Sequence, residues 1–187
     1  MTLIRLKTTA SLALAIILVG CASPARIDQM SLGAREVSTI KVAEPMRSNV
    51  AIRAVTGGKD TNPLWVSNVG SADFERALEA SLKAVGLLAA DRQSGRYQVT
   101  AHLANLEQPL LGFDMTVTST VNYVVSERAT GKEVYKRSVV VPYTAKMGDA
   151  FVGTERLKLA NEGAMRASIT TFISDLQLVK LAELSVR

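Results

Sequence analysis

Two segments of the chain repeat apolar residues at the spacing of an α-helix. The first predicts a helix that is capped by Ser71 and ends before Gly86, with a stripe made of Phe74, Ala77, Leu78, Ser81, Leu82 and Val85. The second predicts a helix from a cap at Thr154 to about Leu178. Its stripe runs through Leu157, Ala160, Ala164, Met165, Ile169, Phe172, Ile173 and Leu176.

Other segments alternate apolar and polar residues, which is typical of strands with one buried face. They are Val50–Val55, Arg96–Leu106, Met115–Ser126 and Glu133–Tyr143, and Val37–Val42 is a possible short strand before them. Pro142 has no backbone N–H to give to a sheet, so the last strand is expected to end there or to lie at an edge.

The order of these elements is strand, helix, three strands, helix. A strand–helix–strand unit makes its two strands parallel, and the short turns that follow make hairpins. The sequence therefore predicts an α+β fold: a two-layer sandwich with a mixed, mostly antiparallel sheet of four to five strands. Both helices are expected on one face, which leaves the threonine-rich face open.

The amino-terminal pattern is different from the rest. Arg5 and Lys7 precede an uncharged apolar run, Leu12–Val19, and small residues follow it. A basic start, a short apolar run and a small-residue end are typical of an export signal, and the run is too short to cross a bilayer.

The four residues Leu18-Val19-Gly20-Cys21 resemble the lipobox of bacterial lipoproteins. The resemblance implies transfer of diacylglycerol to the Cys21 thiol, cleavage between Gly20 and Cys21, and usually a further acyl chain on the new amine. Ala22, where an aspartate would retain a Gram-negative lipoprotein at the inner membrane, implies the outer membrane. An ordinary cleaved signal with an unrelated cysteine is the alternative.

The chain is thereby divided into three parts. Residues 1–20 are predicted to be the signal peptide, residues 21–36 a lipidated tether without clear periodicity, and residues 37–187 one periplasmic domain. A mature chain of 167 residues is long enough for one domain with a full core.

Composition narrows the function further. Removal of the signal leaves 20 basic and 17 acidic residues without long runs of one sign, which argues against nucleic acid as a partner. With Cys21 lipidated, no thiol remains for a disulfide or a zinc site.

The only histidine, His102, falls on the polar face of a strand, and no nucleophile motif or paired acids accompany it. Glu162 and Arg166 read as a solvent-facing ion pair. We expect no metal, no cofactor and no enzyme activity.

Three connecting segments, 56–70, 107–114 and 144–153, are expected at the same end of the sheet. They contain the candidate partner-binding residues Trp65, Leu110, Leu111, Phe113, Met147 and Phe151. Exposed apolar residues on loops are typical of an interaction surface. The alternative is that these side chains turn inward and seal the core.

The function that the sequence favours is a non-catalytic accessory or assembly factor, anchored in the outer membrane and bound to an envelope protein through the loops or a sheet edge. Segments such as Asn62-Pro63-Leu64-Trp65 and Asp73-Phe74-Glu75-Arg76-Ala77-Leu78 resemble a small periplasmic lipoprotein family of no established activity. The alternative is a carrier of lipid or another apolar ligand. A carrier requires a cavity of several hundred cubic ångströms between sheet and helices.

Overall fold

Four strands form a single mixed sheet in the computed structural model, which describes residues 22–42, 44–62 and 66–184, with side chains to residue 177. The strands are β1 (Val50–Gly57), β2 (Tyr97–Glu107), β3 (Met115–Glu127) and β4 (Glu133–Ala145). Their spatial order is that of the chain; β1 and β2 are parallel, and the other two pairs are antiparallel.

Two long helices cover one face of this sheet. They are α3 (Ser71–Ala84), which packs near β1, and α4 (Gly153–Leu184), which packs on β3 and β4. Two short helices, α1 (Ile27–Met30) and α2 (Ala34–Thr39), precede them. The predicted α+β sandwich is confirmed, and every apolar stripe residue of the two long helices is buried.

Aromatic side chains join the two layers at the centre of the core. Tyr123 of β3 is stacked on Phe172 of α4, with ring centroids 4.2 Å apart and planes 3° from parallel. The Tyr123 hydroxyl lies 3.2 Å from the Ser168 hydroxyl. Burial raises the pKa of Tyr123 well above its ordinary value, so this phenol remains a neutral hydrogen-bonding group.

Three predictions of secondary structure are wrong. Thr154 is not the cap of α4, because this helix begins at Gly153, and it extends to Leu184 rather than to about Leu178. Gly70, with an extended backbone, is the N-cap of α3, and Ser71 is its first residue. The segment Val37–Val42 is not a strand, because α2 extends to Thr39. One helical turn brings Val37 and Ile40 to the same side, where both pack against the core. Pro142, by contrast, lies in an edge strand as expected, although β4 continues to Ala145.

The segment predicted as a tether, residues 21–36, is instead packed on the domain over its described residues, 22–36. Ala25, Met30 and Leu32 are buried, and α1 contacts both α3 and α4. The Leu32 amide donates a hydrogen bond to the Ser81 hydroxyl at 3.1 Å. Buried apolar residues without any regular spacing therefore help to hold this segment on the domain.

Glu162 provides the strongest link to this segment. Its side chain is buried and accepts hydrogen bonds from the Arg26 amide at 2.9 Å and from the Arg26 guanidinium at 3.0 and 3.1 Å. The hydrogen bond to Glu162 raises the pKa of Arg26, which stays charged. Arg166 donates to the Gln29 carbonyl at 2.7 Å. The predicted solvent-facing Glu162–Arg166 pair is therefore wrong: both side chains bind the amino-terminal segment.

Two glycines have left-handed backbone conformations, and at only one of them would an added side chain also overlap a neighbouring strand. A methyl group at Gly57 (φ 78°) would overlap the Leu103 carbonyl oxygen, whereas one at Gly131 (φ 70°) would meet nothing within 4 Å. We expect Gly131→Ala to lower the free energy of unfolding by about 1–2 kcal/mol, from backbone strain alone. Gly57→Ala should lower the free energy of unfolding by roughly 3 kcal/mol, because β1 must also shift away from β2 to relieve the overlap. Urea unfolding of both variants tests this, and equal losses would contradict it.

The second prediction concerns Arg26. Its removal leaves the buried Glu162 carboxylate without its cation, so Arg26→Ala should lower the free energy of unfolding by roughly 1–3 kcal/mol. Arg47→Ala is the matched control, since Arg47 pairs with Glu44 on the surface and both side chains are more than half exposed; its loss should be under about 0.5 kcal/mol. Trypsin should also cleave after Arg35 faster in Arg26→Ala than in the control. Unchanged cleavage would show that the pair does not hold the segment.

Candidate functional site

The ends of β1, β2 and β4 meet at one end of the sheet. The register places Gly57 beside Leu103 and Met115 beside Ala145, so the segments 58–70, 108–114 and 146–152 follow these strand ends together. The first turns of α3 and α4 lie at this end as well, because each helix follows one of these segments. We call this region the loop end.

Apolar side chains at the loop end point into solvent. Their exposed fractions are 96% for Leu110, 90% for Leu111, 79% for Phe113, 86% for Phe151, 53% for Val152 and 44% for Met147. These residues do not seal the core. Each of the larger side chains loses the roughly 1.5–3 kcal/mol of stabilisation that full burial would contribute. Trp65 lies outside the described residues, and Val152 is an exposed apolar residue that the sequence reasoning missed. We call Leu110, Leu111, Phe113, Phe151 and Val152 the apolar tips.

Arg156 of α4 holds the two loops that carry the apolar tips. Its buried guanidinium donates to the carbonyls of Ala150 at 2.6 Å and Phe151 at 3.1 Å, and to that of Gly112 at 3.2 Å. The loops are also tied directly, since the Met147 amide donates to the Asp114 carboxylate at 3.0 Å. A planar group with several N–H donors can bind several carbonyls at once. The tips therefore project from a hydrogen-bonded base.

A buried polar cluster lies beneath the loops. The Ser67 carbonyl accepts hydrogen bonds from the side-chain amides of Gln108 at 2.9 Å and Asn161 at 2.8 Å. Gln108 also donates to the Asn161 oxygen at 2.8 Å. This cluster joins the segment before α3, the segment after β2 and α4. No periodic pattern singled out these residues, because each is one polar position within a different element.

The amino-terminal segment enters the domain at the same end. The Ser23 carbonyl accepts a hydrogen bond from the Ser67 hydroxyl at 2.9 Å, and the Ser23 hydroxyl accepts one from the Lys158 ammonium at 3.0 Å. Ala22 is buried. The described chain therefore begins at the loop end. The predicted lipidation site Cys21 and cleavage site Gly20–Cys21 lie outside the described residues.

The apolar cavity that the described residues form against the core is too small for a lipid. The apolar cavity against the core, lined by Ile40, Val42, Met46, Leu87, Ile173 and Leu176, holds about 10 Å³. A bound lipid needs a cavity of roughly several hundred cubic ångströms. A larger groove of about 370 Å³ beside Gly58, Lys59 and Asn105 is open to solvent and mostly polar.

His102 lies on the open face of the sheet, as predicted. Its ring is exposed, and Nδ1 lies 2.9 Å from the Thr56 hydroxyl. Among the described residues, no group of three or more His, Cys, Asp or Glu side chains is placed to hold a metal ion. The helices of the described part include none with the length and apolar character needed to cross a membrane.

No protein-family model and no curated protein matches this sequence. Solved structures share its fold. A protein from Xanthomonas campestris assigned to the family DUF330 has 11% sequence identity and a TM-score of 0.56, over 78% of this chain and 94% of that chain. At that identity the likeness establishes a common fold and nothing more.

Weaker likenesses include two further bacterial proteins. The PelC dodecamer from Paraburkholderia phytofirmans has 16% identity and a TM-score of 0.47, over 71% of this chain and 90% of that chain. A minor lipoprotein from Acinetobacter baumannii has 16% identity and a TM-score of 0.41, over 70% of this chain and 92% of that chain. These lower TM-scores support no inference about this chain.

Proposed function

We propose that this chain is a lipoprotein of the cell envelope, held on the periplasmic face of the outer membrane through acyl chains on Cys21. The observation that carries the proposal is the resemblance of Leu18-Val19-Gly20-Cys21 to a lipobox, directly before the buried residue Ala22. A single acyl chain binds a membrane weakly, but each buried methylene adds about 0.8 kcal/mol, so two or three chains anchor firmly.

We further propose that the anchored protein is non-catalytic and acts as an accessory or assembly factor for an envelope protein. An anchor at the loop end leaves the outer edge of β4 accessible from the side. In the described part of the chain no strand pairs with that edge, and Val140 is 59% exposed there. The opposite edge is partly covered, because residues 87–89 bond to the start of β1. An extended segment of a partner can add to a free edge strand.

The third prediction tests the anchor. Cys21→Ser removes the thiol that accepts the lipid, whereas Ser11→Ala, directly before the apolar run, leaves the lipobox intact. We expect the parent and Ser11→Ala to carry an acyl mass on Cys21 and to fractionate with outer membranes. Cys21→Ser should carry none and should leave that fraction. If the parent carries no acyl group and fractionates as Cys21→Ser does, the lipoprotein proposal is wrong.

The fourth prediction tests the partner surface. Photocrosslinking residues placed at Ser138 and Val140 in intact cells should give one common adduct with an envelope protein, because both positions are exposed on β4. Glu79, which is exposed on α3, is the control and should not give it. The same adduct from Glu79, or none from β4, would contradict binding along this edge.

A further inference from the structure

We propose that the loop end rests directly on the bilayer and that the apolar tips insert into the interfacial region of the membrane that holds the acyl chains. This inference rests on the proposed lipid anchor at Cys21. It adds an orientation and a second membrane contact, made by side chains of the folded domain. The occupant of the surface formed by the apolar tips is then lipid rather than protein.

The position of Ala22 is the first support. Ala22 is buried, and Ser23 is bound at the loop end by Ser67 and Lys158. Consecutive Cα atoms are about 3.8 Å apart, so the Cα atom of an acylated residue 21 must lie within that distance of Ala22. A flexible coil of the length of residues 22–36 would reach roughly 20 Å. Packing of this segment removes that reach, and the loop end must therefore lie close to the membrane surface.

The apolar tips are the second support. They project from two loops that share the Arg156 guanidinium, so they are presented side by side. Leu110 and Leu111 are almost fully exposed, so each side chain projects from the protein surface. A stable protein interface needs a broad complementary face. Leucine and phenylalanine side chains on projecting loops suit insertion among lipid headgroups and upper acyl chains.

Charge distribution is the third support. The tip segments, Gln-Pro-Leu-Leu-Gly-Phe (108–113) and Ala-Phe-Val-Gly (150–153), contain no charged residue. Two carboxylates that flank the tip segments are hydrogen-bonded within the loops: Asp114 accepts from the Met147 amide, and Asp149 accepts from the Lys146 amide at 2.8 Å. Insertion of the tips therefore removes no charge from water. The opposite end is different, since Arg128 and Lys132 lie in its turns.

Site-specific labelling tests this orientation. In the lipoprotein the Cys21 sulfur is in a thioether, so a cysteine introduced by Leu111→Cys or Phe151→Cys is the only free thiol for an environment-sensitive fluorophore. Lys132→Cys, at the opposite end, is the matched control. Each labelled lipoprotein is reconstituted in vesicles of phosphatidylethanolamine and phosphatidylglycerol with and without spin-labelled lipid. We expect a blue-shifted emission and about twofold or greater quenching at positions 111 and 151, and neither at 132.

The outcomes separate the two proposals, because intact mass on the same samples reports acylation. Acylated protein whose labels at 111 and 151 stay in water overturns the membrane contact and leaves the anchor standing. Absence of the acyl group overturns the anchor, and this inference with it. A photocrosslink from Leu111 to a protein in cells also overturns the inference, in favour of a protein interface. Because both labelled side chains are exposed, the substitutions should not disturb folding.

A second measurement does not depend on a fluorophore. The double variant Leu111→Asp, Phe151→Asp keeps the acyl anchor but makes insertion unfavourable, so transfer of the lipoprotein between vesicles should be about tenfold faster or more. Lys132→Asp is the control and should transfer at the parent rate. Equal rates for all three proteins would overturn the inference.

Discussion

The buried carboxylate of Glu162 and the hydrogen bonds that it accepts from Arg26 determine how the amino-terminal segment meets the rest of the fold. A buried carboxylate is costly without a cation and donors, and Arg26 supplies both. The pair therefore favours one placement of residues 22–36, against α3 and α4. That placement leaves Ala22 at the loop end, where the hydrogen bonds of Ser23 with Ser67 and Lys158 also hold the chain.

Two properties of the loop end then act together. Its base is hydrogen-bonded, because Arg156 binds carbonyls of both loops and a buried cluster around Ser67 joins three elements. Its tips are apolar, uncharged and exposed. A lipid anchor at the same end would bring these side chains to a membrane without further ordering of the loops. The polar turns at the opposite end would face away from it, and the free edge of β4 would remain available to a partner.

The sequence predicted the parts of the fold that follow a period. The stripes of α3 and α4 and the alternation in β2 and β3 are regular over several turns or pairs, and Pro142 indicated an edge strand. The amino-terminal segment was mispredicted because its buried residues Ala25, Met30 and Leu32 share no helical or strand period. Glu162 was misplaced because its partner lies 136 residues away, whereas Arg166 is four residues away. Arg156 binds carbonyls of both loops that carry the apolar tips, and no local pattern reveals that role.

The most direct test is neutron reflectometry of the acylated protein on a supported bilayer, which measures the water layer between the lipid headgroups and the protein. A packed amino-terminal segment predicts that the protein density begins at the headgroups, with no resolved water layer. A hydrated gap on the order of 20 Å, the reach of a flexible tether of this length, would contradict direct contact of the loop end with the membrane.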